Sequence, residues 1–278
     1  MNTNLKNRKR VAAYLLLAVF ALSPFFNANA QSDDEFGVWT TLEASKKINK
    51  KFKAAFEAEF RTLDGVGSVE RYSLGARIDY KITKWLKANA GYIFIYNRKP
   101  SEKNIKDVID ADAGLYDYNV DDAYWTCRNR FHITVAGEYK IGRVEIGLRE
   151  RLQYTRTNSA TTDETKYRWG LVPPEYEVYE QTVTKEKDFK DSKENTTLRS
   201  RLTAKWDIPK CKINPFASVE LYTRLDKWKG NDKLRYRIGA SYKIDKDNSI
   251  SLFYLYQDTN DDDEPKGHAI GIEYSIDL

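Results

Sequence analysis

The feature that most constrains the fold is an alternation of apolar and polar residues with period two, which recurs from about Phe36 to the last residue. In residues 51–62, Phe and Ala occupy the even positions up to 60, and charged residues occupy most of the odd ones. Successive side chains of a β-strand point to opposite faces, so the pattern predicts strands with one apolar and one polar face. Ten such segments follow one another: 51–62, 71–82, 86–97, 124–140, 144–155, 196–208, 213–225, 234–244, 249–257 and 268–278.

The connections between these segments alternate between short and long. Short ones lie near 46–50, 83–85, 141–143, 209–212 and 245–248, and longer ones lie at 64–69, 98–122, 158–195, 226–233 and 258–267. Outer-membrane barrels show this rhythm because tight turns face the periplasm and larger loops face outward. Most segments also have the length of a tilted strand that crosses a bilayer, about 9–11 residues or more. The sequence therefore predicts an all-β, antiparallel transmembrane β-barrel rather than a soluble β-sandwich or lipocalin-like barrel, whose strands are usually shorter.

The number of strands is left open by the pattern. Ten strands fill residues 51–278, and an eleventh segment, Phe36 to Ser45, also alternates. Bacterial single-chain barrels normally have an even number of strands. Either this segment is a periplasmic or lumenal lead-in, or a twelfth strand lies near Tyr167 to Thr184. The expected barrel has about 10–12 strands.

The first thirty residues have the pattern of a secretory signal peptide. A basic start, from Lys6 to Arg10, precedes an almost wholly apolar run from Val11 to Phe26, and Ala28-Asn29-Ala30 has the form of a cleavage site. The apolar run is shorter than the roughly 20 residues that a spanning helix needs. We therefore expect residues 1–30 to be a cleaved signal peptide and residues 31–278 to form one barrel domain.

The signal peptide also accounts for the basic balance of the chain. The whole chain carries 46 basic and 41 acidic residues, whereas without residues 1–30 it carries 42 and 41. The charge therefore gives no reason to expect nucleic-acid binding. The expected location is the outer membrane of a Gram-negative bacterium, reached through the periplasm. The expected partners are outer-membrane lipid and, during export, periplasmic chaperones and the barrel-assembly machinery; no solute is indicated.

Several short motifs are spread along the chain: Gly37-Val38-Trp39, Glu57-Ala58-Glu59-Phe60-Arg61, Gly91-Tyr92, Leu148-Arg149-Glu150-Arg151-Leu152, Arg199-Ser200-Arg201 and Pro215-Phe216-x-x-x-Glu220. Together they resemble a known family, the uncharacterised outer-membrane β-barrel proteins grouped as domain of unknown function 2490 and common in Bacteroidetes-type bacteria. The resemblance covers nearly all of the chain after residue 30. It implies an outer-membrane location and a barrel fold, and it supplies no activity and no functional residue.

The polar faces of the predicted strands carry many arginines, which would line the barrel interior. These are Arg61, Arg71, Arg77, Arg128, Arg130, Arg149, Arg151, Arg199, Arg201, Arg224, Arg235 and Arg237. With the C-terminus in the periplasm, all of them except Arg77 are expected in the outer half of the lumen. The inward acids are expected mostly lower: Glu57, Glu59, Asp79, Glu138, Glu145, Glu220 and Glu273.

This lumen supports two functional hypotheses. Basic rings favour anions in pores, so the arginines would form the constriction of a small anion-preferring channel or porin. Alternatively, Arg and Glu would pair and fill the interior, because a narrow barrel is nearly filled by its side chains. The barrel would then be electrically closed, with a structural role or a surface-interaction role for the long loops 98–122 and 158–195.

Enzyme and cofactor signals are weak. The only histidines are His132 and His268, and no spacing pairs either of them with the inward Ser251 or Ser275 as a hydrolase would need. There is no CxxC motif or Cys/His cluster, so no metal or cofactor is expected. Cys127 and Cys211 are predicted at opposite ends of the barrel, too far apart for a disulfide, and are therefore expected to be free thiols.

Overall fold

The computed structural model describes residues 35–110, 112–171, 179–226, 231–259 and 266–278. The predicted signal peptide, residues 1–30, lies outside the described residues. Within the described ranges, no helix is long and apolar enough to cross a membrane.

Fifteen strands account for the regular structure of the described residues. They are β1 Glu35–Lys47, β2 Phe52–Leu63, β3 Ser68–Lys81, β4 Leu86–Lys99, β5 Glu102–Asp110, β6 Leu115–Asp121, β7 Tyr124–Ile141, β8 Val144–Thr157, β9 Ala160–Leu171, β10 Tyr179–Lys190, β11 Lys193–Trp206, β12 Ile213–Arg224, β13 Asn231–Lys243, β14 Asn248–Thr259 and β15 Gly267–Asp277. Eleven of them close into a barrel in the order β1-β15-β14-β13-β12-β11-β8-β7-β4-β3-β2. The predicted fold class, an all-β barrel of 10–12 strands, is confirmed.

Strand β1 closes the barrel, so that, among the described residues, the wall has eleven strands without a twelfth. It pairs antiparallel with β2, from Trp39 opposite Arg61 to Lys47 opposite Lys53. It also pairs parallel with β15, from Glu35 opposite Gly267 to Ser45 opposite Asp277. A ring with an odd number of strands needs one parallel pair, and β1–β15 supplies it. The segment is thus a wall strand rather than a lead-in.

Two glycines of β15 allow close packing near the parallel junction, Gly267 against β1 and Gly271 against the Phe253 ring of β14. A Cβ atom at Gly267 would lie 1.9 Å from the carbonyl oxygen of Glu35, and one at Gly271 would lie 1.9 Å from the Phe253 ring. Beside this junction, inside the barrel, Phe253, Leu255 and Ala269 form a small buried apolar cluster, against which Trp39 and Phe216 pack. Only glycine lets the strand and the ring approach this closely.

The outer surface of the wall is apolar, as the alternation predicts. Phe56, Leu74, Ile133 and Ile238 are all more than 60% exposed on that surface, where a membrane would supply lipid contacts. Glu150 interrupts this face on β8. The pairing of β8 with β7 and β11 nevertheless continues without a register shift through Glu150. The Glu150 carboxylate accepts a 2.6 Å hydrogen bond from Ser200 on the neighbouring strand β11.

The segments 98–122 and 158–195 are more ordered than the loops expected from the sequence. They contain β5, β6, β9 and β10, which form a separate four-stranded antiparallel sheet in the order β10-β9-β6-β5. The strands lie next in the chain to β4, β7, β8 and β11, so the sheet adjoins the end of the barrel opposite the short turns. The proposed twelfth wall strand near Tyr167 to Thr184 is therefore wrong, because the strands there belong to this second sheet.

One face of the second sheet carries a cluster of acidic residues around a lysine. Lys190 donates to Asp121 and Asp188 at 2.7 Å each, and Glu164 lies within the same group of carboxylates. Although partial burial opposes it, the hydrogen bonds to the two aspartates raise the pKa of Lys190 above its usual range. The hydrogen bond from Lys190 lowers the pKa of Asp188. The ammonium group thus occupies the position between these carboxylates.

Candidate functional site

The polar faces of the wall strands meet inside the barrel and bring arginines directly opposite one another. Arg149 pairs in register with Arg201, and Arg151 pairs with Arg199, across the β8–β11 ladder. Arg61 faces Arg71 across β2–β3 in the same way. Like charges opposite each other in a sheet are destabilising unless other groups compensate them. The interior therefore requires acidic side chains at these positions.

Glu220 on β12 provides the main compensation. It is only 1% exposed, and its carboxylate accepts hydrogen bonds from Arg199 at 3.0 and 3.1 Å and from Arg201 at 2.9 Å. Arg149 also donates to it, the hydroxyl of Tyr222 donates at 3.1 Å, and the Arg235 guanidinium lies 4.0 Å away. We call Glu220, Arg149, Arg199, Arg201 and Arg235 the Glu220 cluster. One carboxylate thus joins guanidinium groups from β8, β11 and β13, and the charge-assisted bonds are of the strong kind.

A second charged group lies nearer the end with the short turns. The Arg77 guanidinium contacts Glu43 at 2.8 Å, Asp79 at 3.3 Å and Glu57 at 3.7 Å, and Arg237 contacts Glu273 at 3.7 Å. These groups line a cavity of about 300 Å³, which we call the inner chamber. Ten arginines and five carboxylates line it.

A smaller cavity of about 60 Å³, the outer chamber, lies nearer the second sheet. Its lining includes seven arginines and one lysine but one carboxylate, Asp232. The cations are Arg61, Arg71, Arg128, Arg130, Arg199, Arg224, Arg235 and Lys233. Arg61, Arg71, Arg130, Arg199 and Arg235 line both chambers, so a layer of arginine separates the two cavities.

All twelve arginines singled out from the sequence line one or both chambers, but the acidic residues divide into two groups. Glu57, Glu59, Asp79 and Glu273 line the inner chamber, and Glu220 lies in the cluster beside it. Glu138 instead pairs with Lys87 at 3.0 Å, both side chains being about half exposed. Glu145 lies opposite Lys140 and Lys205 near the short turns, and it lines neither chamber.

The expected separation of arginines above and acids below is only partly correct. Glu59 pairs with Arg61 at 2.9 Å, and Glu220 lies within the arginine layer itself. Both acids are in the second half of strands that run away from the short turns. The carboxylates had to be at this level because the closely spaced guanidinium groups would otherwise repel one another.

Five further residues belong to the site although the sequence did not single them out. Glu43 and Trp39 were missed because β1 was not firmly assigned to the wall. Their spacing of two residues from Thr41 nevertheless indicated that all three side chains share the inner face of one strand. Asp232 and Lys233 lie where β13 begins, inside a segment taken as a loop. Glu70 is 4% exposed beside Arg71, at a register shift of β3 against β2 that alternation alone does not reveal.

The histidines and cysteines do not form a reactive constellation in the described part of the chain. His132 is 5% exposed, neither ring nitrogen has a hydrogen-bond partner, and its ring packs over Gly91, where a Cβ atom would lie 2.6 Å away. His268 contacts the Tyr254 hydroxyl through Nδ1. Ser251 is bonded to Ser241 at 2.8 Å. Cys127 and Cys211 are free thiols, as predicted.

Comparison with known proteins identifies the family. Residues 36–267 match the family described as a protein of unknown function, DUF2490. The chain belongs to this family. The match spans β1 to the start of β15 and confirms the resemblance drawn from the sequence motifs. No curated protein matches the chain.

The fold of this DUF2490 member is similar to that of solved outer-membrane barrels. The translocator domain of the autotransporter NalP from Neisseria meningitidis superposes with a TM-score of 0.51 at 10% identity, over 91% of this chain and 92% of that one. The β domain of the Bordetella autotransporter BrkA gives a TM-score of 0.45 at 10% identity, over 87% and 95% of the two chains. A monoaromatic hydrocarbon channel, CymD, gives 0.30 at 11% identity, over 85% and 87%. The first similarity shows that the fold is of the outer-membrane β-barrel type.

Proposed function

We propose that the protein is an outer-membrane channel of small bore that prefers anions, with the layer of arginines between the two chambers as its constriction. The observation that carries this proposal is the excess of cationic over acidic side chains around both chambers. Fixed positive charges in a narrow pore raise the local concentration of anions and repel cations. The transported solute is not defined by this charge pattern.

A bilayer recording tests the proposal. The barrel from Gln31 onward, refolded into a planar lipid bilayer in a potassium chloride gradient, is expected to give steady ohmic steps and a reversal potential on the chloride side. Arg130→Glu is expected to lower the chloride-to-potassium permeability ratio severalfold, because it reverses one charge in the layer between the chambers. Arg156→Glu is the matched control, since Arg156 lies on the same β7–β8 hairpin, has a side chain 58% exposed and lines neither chamber.

A closed barrel is the second candidate, and the 1% exposure of Glu220 favours it. If the refolded, heat-modifiable barrel gives no conductance, the channel proposal fails. The charged network would then stabilise the barrel, and the second sheet would carry interactions with partners at the surface. Steps that Arg130→Glu and Arg156→Glu alter equally would also count against a pore governed by the arginine layer.

We further propose that the second sheet faces the outside of the cell and the short turns face the periplasm. Long connections of outer-membrane barrels are external. Export through a signal peptide cleaved after Ala30, periplasmic chaperones and the barrel-assembly machinery would deliver the chain in this orientation.

Epitope tags at two exposed glycine turns test this orientation. Gly114 lies in the β5–β6 hairpin and Gly142 in the β7–β8 hairpin, and both have positive φ angles and open space around them. A tag inserted at Gly114 is expected to bind antibody on intact cells, whereas a tag at Gly142 is expected to bind only after the outer membrane is permeabilised. Labelling of the Gly142 tag on intact cells would contradict the proposed orientation.

The same geometry gives no support to an enzymatic role, and we propose none. His132 is buried without a polar partner. A serine hydrolase would need a histidine within hydrogen-bond reach of its nucleophile.

A further inference from the structure

The outer chamber has the composition of an oxyanion-binding site. Its wall combines eight cationic side chains with neutral groups able to donate hydrogen bonds, namely Thr155, Thr197, Asn195 and Gln153. The cations come from strands on several sides of the barrel, including Arg71 on β3, Arg128 on β7 and Lys233 on β13. Donors therefore converge on one small space from different directions.

The chamber concentrates charge that has been removed from water. Arg71, Arg128 and Lys233 are 2%, 4% and 5% exposed, and Asp232 is the one carboxylate in the lining. That aspartate already contacts Arg224 at 3.2 Å. Like charges repel more strongly inside a protein than in water, because the effective dielectric constant is lower there. A bound anion with more than one charge would offset several such repulsions at once.

The size of the chamber limits the anion. The chamber has a volume of about 60 Å³. Because one water molecule needs about 15 Å³ of such space, the chamber could hold roughly four. A five-atom tetrahedral oxyanion is of that size. Guanidinium groups match the oxygens of such an ion through paired hydrogen bonds.

We propose that the outer chamber is a binding site for a phosphate group, either inorganic phosphate or the terminal phosphate of a larger solute. The site rests on the proposed anion preference of the lumen and specifies its ligand. A specific site of this kind binds one anion saturably, whereas a general positive potential would attract anions without saturation. Binding here would place the ligand directly outside the Glu220 cluster, since Arg199 and Arg235 belong to both the chamber and the cluster.

Calorimetric titration of the refolded barrel with sodium phosphate, in sodium chloride of constant ionic strength, tests the proposal. We expect saturable binding of one phosphate per barrel. Arg128→Gln and Lys233→Gln are each expected to weaken it about tenfold or more, because each removes a charge-assisted hydrogen bond. Arg156→Gln, on the outer surface of the barrel, is expected to bind as the unsubstituted protein does. A parallel titration with glucose 6-phosphate distinguishes free phosphate from a phosphorylated solute by which of the two binds more tightly.

Thermal unfolding separates ligand binding from a purely structural role of these cations. The unfolding temperature of each variant without phosphate is its own reference, so that any structural effect of the substitution is separated from the effect of the ligand. At one phosphate concentration, the unsubstituted barrel and Arg156→Gln are expected to gain clearly more in unfolding temperature than Arg128→Gln and Lys233→Gln, because these two variants bind phosphate more weakly. Absence of saturable binding, or equal binding by all three variants, would overturn the proposal. Phosphate binding by a barrel that does not conduct would overturn the channel function and leave the binding site standing.

Discussion

Replacing Glu220 by glutamine is expected to lower the free energy of unfolding of the barrel by roughly 3–5 kcal/mol. Glutamine keeps the shape of the side chain but removes the negative charge that Arg149, Arg199 and Arg201 share. These guanidinium groups would then face one another across the β8–β11 ladder without compensation. Breaking a buried ion pair from one side is costly because it leaves the partner charge buried and unpaired.

The measurement is urea unfolding of the refolded barrel in lipid vesicles, followed by tryptophan fluorescence. Glu145→Gln is the matched control, because Glu145 is an inward glutamate of β8 that lines neither chamber. The control is expected to change the free energy of unfolding by no more than about 0.5 kcal/mol. If the two variants are equally stable, the Glu220 cluster does not hold the barrel together as we infer.

Replacing Trp39 by alanine is expected to cost about 3 kcal/mol of the free energy of unfolding. The indole lies 3.7 Å from the Arg61 guanidinium and 4.8 Å from that of Arg235, and it packs against the apolar cluster formed by Phe253, Leu255 and Ala269. Trp39 therefore joins β1 to strands on both sides of the parallel junction. Its loss removes both the apolar contact and two cation–π interactions.

Trp85→Ala is the comparison for this variant, measured by the same urea unfolding. Trp85 is 57% exposed at the short turn between β3 and β4, so its loss is expected to cost at most about 1 kcal/mol. Equal stability of Trp39→Ala and Trp85→Ala would mean that β1 contributes little to the wall. The wall would then consist in effect of ten strands, with β1 adding little to its stability.

The strands themselves were largely determined by the sequence. Alternation located ten wall strands to within a few residues and identified which side chains point outward from the barrel, as Phe56 and Leu74 do. It succeeded because the side-chain period of a strand is two residues, so the face of each residue follows from its position alone. The same rule selected the inward arginines that line the two chambers.

The neighbours of each inward residue were decided only by the tertiary structure. Alternation assigns Glu220 and Arg149 to the inner face, but the strands that bear them, β12 and β8, are not adjacent in the barrel. Their contact depends on the ladder registers and on closure of the ring, which no local pattern encodes. The parallel pairing of β1 with β15, and the location of β9 and β10 in a second sheet, likewise do not follow from local alternation. The sequence by itself therefore determined strands and faces, whereas closure of the barrel determined the charge cluster and the chambers, because both arise from side chains far apart in the chain.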